Sequence, residues 1–232
     1  MIVFVPARGG SKGLPGKNIR PLGGIPLICH SLFAAKASGA VTRVIVTTDD
    51  AQIREAALSV AGVEVPFMRP AELSTDTASA IDVYLHAVDW VNGSGGAKAK
   101  EFCVLLPTSP LRLPSDIDAA ITLYRQRHAR VVVSVCEAKP LGFHQNIAPD
   151  GQLTPISGIK TSMANRQALS TSVALNGSIY VLDAENLRRT RSYFGERSYG
   201  YVMPRARSID IDEAEDLVVA ELLYAGRQRG MI

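Results

Sequence analysis

The first stretch of the chain that could carry chemistry is a glycine-rich, basic loop directly after an apolar run. Residues 2–5 are Ile-Val-Phe-Val, and residues 7–18 are Ala-Arg-Gly-Gly-Ser-Lys-Gly-Leu-Pro-Gly-Lys-Asn. The apolar run predicts a buried first strand, and ligands of α/β proteins lie at the carboxyl ends of such strands. Glycines let the backbone approach a ligand, and Arg8, Lys12 and Lys17 suit a polyanion. The loop therefore predicts a phosphate-binding site.

The distribution of charge along the chain supports this interpretation. No Asp or Glu precedes Asp49, whereas the same segment contains Arg8, Lys12, Lys17, Arg20, Lys36 and Arg43. Two common phosphate motifs do not fit. A Walker P-loop has Gly at the position of Ser11 and Ser or Thr at the position of Asn18. The dinucleotide-binding motif Gly-x-Gly-x-x-Gly does not match the glycines of this loop in any alignment. The alternative is a solvated surface loop, but functional residues concentrate on loops placed in this way.

A second candidate site is a pair of carboxylates near the C-terminus. Asp210 and Asp212 alternate with Ile209 and Ile211. On extended backbone both carboxylates point to one face, about 7 Å apart, while the isoleucines pack behind them. Such a pair can bind Mg²⁺ together with substrate phosphates. The alternative is that one Asp caps the last helix and the other is solvated, and the pair alone leaves both interpretations open.

The remaining polar residues exclude some chemistries. His30, His86, His128 and His144 share no predicted site, and no Ser-His-Asp or Cys-His order stands out, so covalent catalysis is not indicated. Lys160 and Arg166 lie in an irregular stretch, where a surface position is the default. A cationic loop with a Mg²⁺-binding carboxylate pair suits phosphoryl or nucleotidyl transfer, in which positioning and charge neutralisation do most of the work.

The length and composition of the chain restrict its possible fold classes and partners. The chain has 232 residues, 47% of them hydrophobic and 20% charged, which suits one α/β domain with a full core. The net charge is +3, and the basic residues are not interleaved with aromatic ones, which argues against nucleic acid as a partner. No apolar run approaches the roughly 18 residues of a membrane span. Cys29, Cys103 and Cys136 lack metal-ligand spacing, so we expect reduced thiols and a cytoplasmic protein.

The order of predicted elements favours a doubly wound, mostly parallel Rossmann-like sheet with right-handed crossovers, in a single domain over residues 1–232. We predict strands near residues 44–46, 63–68, 102–106, 131–135 and 176–182, and a helix capped by Ser115. Residues 137–173 lack clean periodicity and predict an excursion from the sheet: a hairpin, a lid or a dimer arm. A final helix is expected to carry Ala214, Val218, Leu222 and Ala225 along one apolar face.

Several of these stretches, taken together, resemble one known family, the CMP-sialic acid synthetases (acylneuraminate cytidylyltransferases), which include the CMP-legionaminate and CMP-pseudaminate synthetases. The matching motifs occur in the family's order at residues 7–18, 47–49, 69–79, 107–112, 176–180 and 208–212. Lys12-Gly13 also separates the chain from CMP-Kdo synthetases, whose loop is Ser-Thr-Arg-Leu-Pro-Gly-Lys. The resemblance implies a nucleotidyltransferase-A fold. It also implies Mg²⁺-dependent transfer of CMP from CTP to the anomeric hydroxyl of a nonulosonic acid, with release of pyrophosphate, for surface glycan biosynthesis.

The resemblance further implies roles for individual residues on the nucleotide side. Arg8 and Lys17 would hold the triphosphate and stabilise its developing charge, and with Asp212 they would form the catalytic group. Contacts to CTP are implied for Arg8, Lys12, Lys17, Asn18 and Ser79. Mg²⁺ would be bound by Asp210 and Asp212. No general base for the anomeric hydroxyl can be named from the sequence.

On the sugar side, the resemblance implies that Arg166 and Tyr180 help bind the nine-carbon 2-keto acid. Tyr193 or Phe194 would pack on it from a partner subunit, because members of the family are usually homodimers. The dimer contact would be made by an arm like the 137–173 excursion.

Three positions depart from the pattern of the sialic acid enzymes, and all concern the acceptor. Leu106 stands where Gln is common, Gly142 where Lys is expected, and Ala174 where Arg is expected. A lost hydrogen bond to a buried polar group costs about 1–3 kcal/mol, enough to change substrate preference. Legionaminic, pseudaminic or deaminated neuraminic acid therefore rivals N-acetylneuraminic acid as the acceptor. A nucleotide-binding regulator without turnover is the alternative of another class, and the two aspartates count against it.

Overall fold

The computed structural model describes residues 1–96, 98–163, 165, 169 and 171–231, with the side chain of Ser162 left out. The strands of the described residues are β1 (Ile2–Pro6), β2 (Pro21–Leu22), β3 (Ile25–Pro26), β4 (Arg43–Thr47), β5 (Val63–Glu64), β6 (Glu101–Leu105), β7 (Val131–Ala138), β8 (Gln145–Ile147), β9 (Leu153–Pro155), β10 (Ser172–Asp183) and β11 (Ser198–Val202). The α-helices are α1 (Leu27–Ala37), α2 (Ala51–Leu58), α3 (Ala80–Gly93), α4 (Pro114–Gln126), α5 (Ile159–Ser162), α6 (Ala184–Thr190) and α7 (Ala214–Gln228).

The central feature is a seven-stranded sheet with the order β11-β7-β10-β6-β1-β4-β5. Strand β1 pairs in parallel with β4 and β6, and β4–β5 and β7–β11 are also parallel. Strand β10 is antiparallel to both of its neighbours, β6 and β7. The sheet is therefore mostly parallel, with helices between its strands, and the predicted fold class is confirmed.

The single antiparallel strand follows from the path of the excursion. The chain leaves the sheet at the end of β7 and returns at the start of β10, where Ser172 pairs with Ala138. Because departure and return occur at the same edge, β10 must run opposite to β7. Between them lie the β8–β9 hairpin and α5, so the irregular stretch predicted at 137–173 contains short elements, and β7 and β10 extend slightly into it.

Side chains of the sheet alternate between two apolar layers. Val3 and Val5 point to one face, where they belong to a cluster that contains Ile28, Leu32, Ile53, Ile117 and Ile121 from α1, α2 and α4. Phe4 points to the other face, with Phe102, Tyr84, Val88 and Leu187 from β6, α3 and α6. The strand sequences are continuous apolar runs because helices cover both faces of the sheet.

A third apolar cluster lies beside the sheet and connects the glycine-rich loop to the C-terminal part of the chain. It consists of Leu14, Leu22, Leu27, Leu111, Ile211 and Ala220, with Leu217, Leu223 and Tyr224 packed against it. Ile211 is fully buried, which confirms that the isoleucine side of residues 209–212 packs inward. We refer to this group as the anchoring cluster, because it fixes Leu14 and Ile211 relative to each other.

Some local expectations were wrong. The face of α7 expected to carry Val218 and Leu222 is solvent-exposed, with relative exposures of 60% and 69%, and the helix packs through Ala220 and its neighbours instead. Helix α4 begins at Pro114 rather than after a Ser115 cap, because the Asp116 carboxylate accepts the Leu113 N–H at 2.8 Å. Strand β5 spans only Val63–Glu64. Among the described residues no helix is long and apolar enough to cross a membrane.

Candidate active site

The loop after β1 closes over itself at the carboxyl edge of the sheet. The amide of Asn18 donates to the carbonyl of Arg8 at 2.9 Å, and the backbone N–H of Gly9 donates to Asp49 Oδ1 at 3.1 Å. Gly13 lies against the far end of the chain: a Cβ at this position would be 2.6 Å from the carbonyl oxygen of Asp212. The loop therefore adopts a shape that depends on glycine and on a distant backbone segment.

This loop forms one wall of a cavity of about 390 Å³. Its lining residues are Pro6, Arg8, Ser11, Lys12, Gly13, Lys17, Asn18, Leu106, Pro107, Thr108, Asp212 and Glu213. The structure thus brings Arg8, Lys12, Lys17, Asn18 and Asp212 together, as the sequence predicted. The cavity is polar, open to solvent and lined by three cations, which suits a ligand with several phosphates.

Each of the three cations has a carboxylate partner. Lys17 Nζ lies 2.9 Å from Asp212 Oδ1, and the Lys17 side chain is largely buried. Arg8 Nη1 lies 2.8 Å from Asp76 Oδ1, and Lys12 Nζ lies 2.6 Å from Asp76 Oδ2. The hydrogen bonds from Lys12 and Arg8 lower the pKa of Asp76. Asp76 belongs to a stretch that the family resemblance covers, but sequence analysis gave it no role.

The segment that carries the aspartate pair is held by backbone contacts. The Ile211 N–H donates to the Thr108 carbonyl at 2.8 Å, and Asp216 Oδ2 accepts the N–H groups of both Asp212 and Glu213 at 2.9 Å. Partial desolvation raises the pKa of Asp210, opposed by a hydrogen bond from Thr108 and reinforced by the charge of Asp212. The two carboxylates therefore lie close enough to repel each other.

This donor set fits a hard cation that shares its coordination with a ligand. Two carboxylates that repel each other gain from a divalent cation between them, and Mg²⁺ binds to one or two carboxylates together with phosphate oxygens. No group of three or more His, Cys, Asp or Glu suited to a metal occurs among the described residues. Phosphate oxygens and water would have to complete the coordination, which agrees with the adjacent cation-lined cavity.

A second, less polar cavity of about 250 Å³ adjoins the first and shares Pro6, Arg8 and Leu106 with it. Its other lining residues are Arg69, Leu73, Thr75, Asp76, Ala78, Ala80, Val83 and Tyr84. The Arg69 guanidinium is buried and donates to the carbonyl and the hydroxyl of Thr47, and burial lowers its pKa to about 10. Ser79 precedes α3 and makes no capping hydrogen bond; its neighbours Ala78 and Ala80 line this cavity, whereas Ser79 does not.

Below the first cavity lies a buried arginine that sequence analysis did not assign. Arg112 donates to Ser178 Oγ at 2.9 Å, to Ser31 Oγ at 2.6 Å and to the carbonyl of Leu106. Burial lowers its pKa to about 10. The guanidinium joins α1, β10 and the loop after β6, and so fixes Leu106 and its neighbours, which line both cavities.

Of the described residues predicted for the sugar side, Tyr180 and Tyr193 lie together, whereas Phe194 lines a different cavity. Tyr180 is buried in β10, and its ring lies 5.2 Å from the ring of Tyr193 of the same chain; burial raises the pKa of Tyr180 to about 12. Phe194 is exposed and lines a cavity with Arg130 and Arg197, at the opposite edge of the sheet. Arg166 lies outside the described residues.

Fold and site together define an α/β protein with a cation-lined cavity at the carboxyl edge of its sheet. Residues 2–129 match the sequence model of the family described as Cytidylyltransferase. The chain is 34% identical over 220 residues to N-acylneuraminate cytidylyltransferase of Streptococcus agalactiae, which covers 94% of this chain and 51% of the relative. The chain belongs to the cytidylyltransferase family. The expected family is thereby confirmed, and the chain spans about half the length of this relative.

Other similar proteins match over their full length. CMP-N,N'-diacetyllegionaminic acid synthase of Legionella pneumophila is 31% identical, with coverage of 100% of this chain and 99% of the relative. Pseudaminic acid cytidylyltransferase of Campylobacter jejuni is 30% identical, with coverage of 96% and 95%. A CMP:2-keto-3-deoxy-manno-octonic acid synthetase structure, complexed with CTP, has a TM-score of 0.72 at 17% identity, with coverage of 97% of this chain and 98% of that one. This structural likeness supports the fold.

The close approach of Gly13 to Asp212 generates a first prediction. Gly13→Ala is expected to lower the free energy of unfolding by about 1–3 kcal/mol, because the new Cβ must displace either the loop or the 209–212 backbone. Gly10→Ala is the matched control, since a Cβ at Gly10 meets no atom within 4 Å. Urea denaturation of both variants measures the difference. Equal stability of the two would show that the loop does not pack on Asp212.

Proposed function

We propose that the chain transfers CMP from CTP to the anomeric hydroxyl of a nonulosonic acid and releases pyrophosphate. The observation that carries this proposal is the convergence of Arg8, Lys12, Lys17 and Asp212 on one cavity. The names of the relatives support the same chemistry, because they are cytidylyltransferases and CMP-sugar acid synthases.

The two adjoining cavities match the two halves of CTP. The cation-lined cavity would take the triphosphate, with Arg8, Lys12 and Lys17 as its counter-charges and Asn18 at its base. The less polar cavity would take the cytidine, with Arg69 as a hydrogen-bond donor in its lining and Ser79 next to the lining residues Ala78 and Ala80. Arg8 lines both cavities, which puts its guanidinium at the junction, where the α-phosphate would lie.

In this arrangement Asp210 and Asp212 would hold a Mg²⁺, and the cation would neutralise phosphate charge. Lys17 Nζ lies 2.9 Å from Asp212 Oδ1. If the negative charge of Asp212 were directed to the cation, the Lys17 ammonium would become available to the triphosphate. Arg8 and Lys17 would then stabilise the charge that accumulates on pyrophosphate as the bond from the α-phosphorus to the leaving oxygen breaks and the bond to the sugar oxygen forms.

The identity of the acceptor rests on the side of the site that departs from the sialic acid pattern. Leu106 lies where both cavities meet, so its apolar side chain faces any acceptor that approaches the α-phosphate. A Cβ at Gly142 would lie 2.9 Å from the Thr161 carbonyl, so the lysine of the family pattern does not fit here in this conformation. We propose legionaminic, pseudaminic and deaminated neuraminic acids beside N-acetylneuraminic acid. Arg166 and Tyr180 would be sugar-side residues, and Tyr193 or Phe194 would pack on the sugar from a partner subunit.

We also propose that the chain works as a homodimer, joined through the excursion. Eight apolar side chains among the described residues of this segment are at least 46% exposed: Leu141, Phe143, Ile147, Leu153, Ile156, Ile159, Met163 and Val173. Exposed apolar side chains concentrated in one segment favour an interaction site in a protein of ordinary composition. A second copy of the chain is the occupant that the family resemblance implies. We further propose that the reaction takes place in the cytoplasm, upstream of surface glycan assembly.

The reaction itself is tested by pyrophosphate release. The purified chain, with CTP and Mg²⁺, is assayed against N-acetylneuraminic, deaminated neuraminic, legionaminic and pseudaminic acids and Kdo. Turnover with one nonulosonic acid is expected, and none with Kdo. Saturable CTP binding without release of pyrophosphate from CTP in the presence of any acceptor would contradict the proposal and favour the non-catalytic regulator.

The role of the aspartate pair is tested by Asp212→Asn. The variant keeps the shape of the side chain but removes its charge, so kcat is expected to fall by about 100-fold or more. Its melting temperature should stay close to that of the wild type, because the Asp212 side chain is 74% exposed. Asp150→Asn, in the turn of the β8–β9 hairpin, is the control. Near wild-type turnover of Asp212→Asn at low Mg²⁺ would disprove the metal assignment.

The dimer is tested by placing a charge on the excursion. Ile147→Asp introduces a carboxylate at a side chain that is 73% exposed, and sedimentation velocity is expected to show a shift from dimer to monomer. Leu222→Asp is the matched control, since Leu222 is 69% exposed on the outer face of α7. A wild-type chain that sediments as a monomer, or a dimer broken only by Leu222→Asp, would contradict this interface.

A further inference from the structure

Asp76 occupies an unusual position between the two cavities. It lines the second cavity, yet its carboxylate binds two cations that line the first. One oxygen contacts Arg8 at 2.8 Å, and the other contacts Lys12 at 2.6 Å. The contact joins two separate elements, because Asp76 belongs to the segment before α3 and the cations belong to the loop after β1.

The geometry of this contact is that of a bound anion. A carboxylate that offers one oxygen to a guanidinium and the other to an ammonium presents the same pattern as two oxygens of a phosphate group. The Lys12 side chain is 79% exposed and has free access to water, and its ammonium nevertheless lies on Asp76. The positions next to Arg8 and Lys12 where phosphate oxygens would bind are therefore taken by a side chain of the protein.

We propose that Asp76 is a specificity-determining residue of the site: its carboxylate competes with ligand phosphates for Arg8 and Lys12. The inference rests on the proposed function in that the ligand is a polyphosphate. A ligand with several negative charges displaces Asp76, whereas a singly charged anion competes poorly with it. When pyrophosphate leaves, Asp76 rebinds both cations, which favours release of the product.

The exposure of the three side chains makes this competition reversible. Asp76 is 42% exposed and Arg8 33% exposed, and ion pairs at such positions are weak and are screened by salt. A ligand can therefore displace the carboxylate without a large barrier. The pair of Lys17 and Asp212 differs, because the Lys17 side chain is only 11% exposed and Asp212 is assigned to cation binding.

Calorimetric titration with pyrophosphate, without Mg²⁺, tests the proposal directly. Asp76→Asn is expected to lower the dissociation constant for pyrophosphate by about three- to tenfold, because the competing charge is gone. The increase in pyrophosphate affinity should be smaller at high salt, because salt screens the competing charge. Glu72→Gln is the matched control: it removes a negative charge four positions earlier in the same segment, from a residue with no ion pair to Arg8 or Lys12 among the described residues. The control is expected to change the dissociation constant by less than about twofold.

The direction in which Asp76→Asn changes the dissociation constant for pyrophosphate decides whether the proposal holds. Weaker or equal pyrophosphate binding by Asp76→Asn would show that the carboxylate arranges the cations for the ligand, or is irrelevant to it, and would overturn the proposal. An equal increase in pyrophosphate affinity in Glu72→Gln would overturn it as well, because the loss of a nearby negative charge, and not the loss of the contact with Arg8 and Lys12, would then be responsible.

Hydrogen exchange of the wild-type chain gives a second measurement that needs no variant. Pyrophosphate is expected to protect the amides of residues 9–12 and to accelerate exchange at residues 75–78, because displaced Asp76 no longer holds its segment. Slower or unchanged exchange at 75–78 would contradict displacement.

The turnover assay with CTP tests the proposed reaction independently of this inference. Stronger pyrophosphate binding by Asp76→Asn in a chain without turnover would support the inference and refute the proposed reaction. Weaker or unchanged pyrophosphate binding by Asp76→Asn in a chain that turns over CTP would refute only the inference.

Discussion

The arrangement of the site depends on apolar packing beneath its charges. Lys17 and Asp212 are 195 positions apart in sequence, yet their charged atoms lie 2.9 Å apart. Ion pairs of partly exposed side chains contribute too little to bring such distant segments together. Leu14 of the glycine-rich loop and Ile211 of the aspartate segment do so, because both are buried in the anchoring cluster. The cations and carboxylates are therefore carried on backbones that the core has already positioned.

The topology of the sheet adds a second constraint at the same edge. Because β10 returns from the excursion antiparallel to β6 and β7, its first half lies beside the carboxyl ends of the parallel strands. Gly177 of β10 has a φ of +68°, and a Cβ there would lie 3.1 Å from Asp210 Oδ2. The absence of a side chain leaves room for this carboxylate. Arg112 then joins β10 to α1 and to the loop after β6, so three elements hold fixed positions beneath one cavity.

The features predicted correctly from sequence are those encoded within a short window. The apolar runs of β1 and β4, the loop after β1 and the inward packing of Ile211 follow from local pattern. The errors concern contacts between distant segments. Which face of α7 is buried depends on where Leu22 and Leu27 lie, and the partners of Asp76 and Arg112 come from other elements. No spacing along the chain specifies such contacts, and the family resemblance supplied residues without their partners.

The two halves of the proposed site differ in how firmly the fold determines them. The nucleotide half is formed by the loop after β1, the segment before α3 and residues 209–212, all of which attach to buried strands or to the anchoring cluster. In the excursion, by contrast, exposed apolar side chains and short elements prevail among the described residues. Loops on a rigid scaffold can change while the scaffold remains stable. Of the departures from the sialic acid pattern, Gly142 lies in the excursion, whereas Ala174 lies in β10 and pairs with Cys136 of β7. Leu106 is the third departure: Arg112 fixes its carbonyl, so a change of its side chain alters the meeting point of the two cavities without moving the backbone.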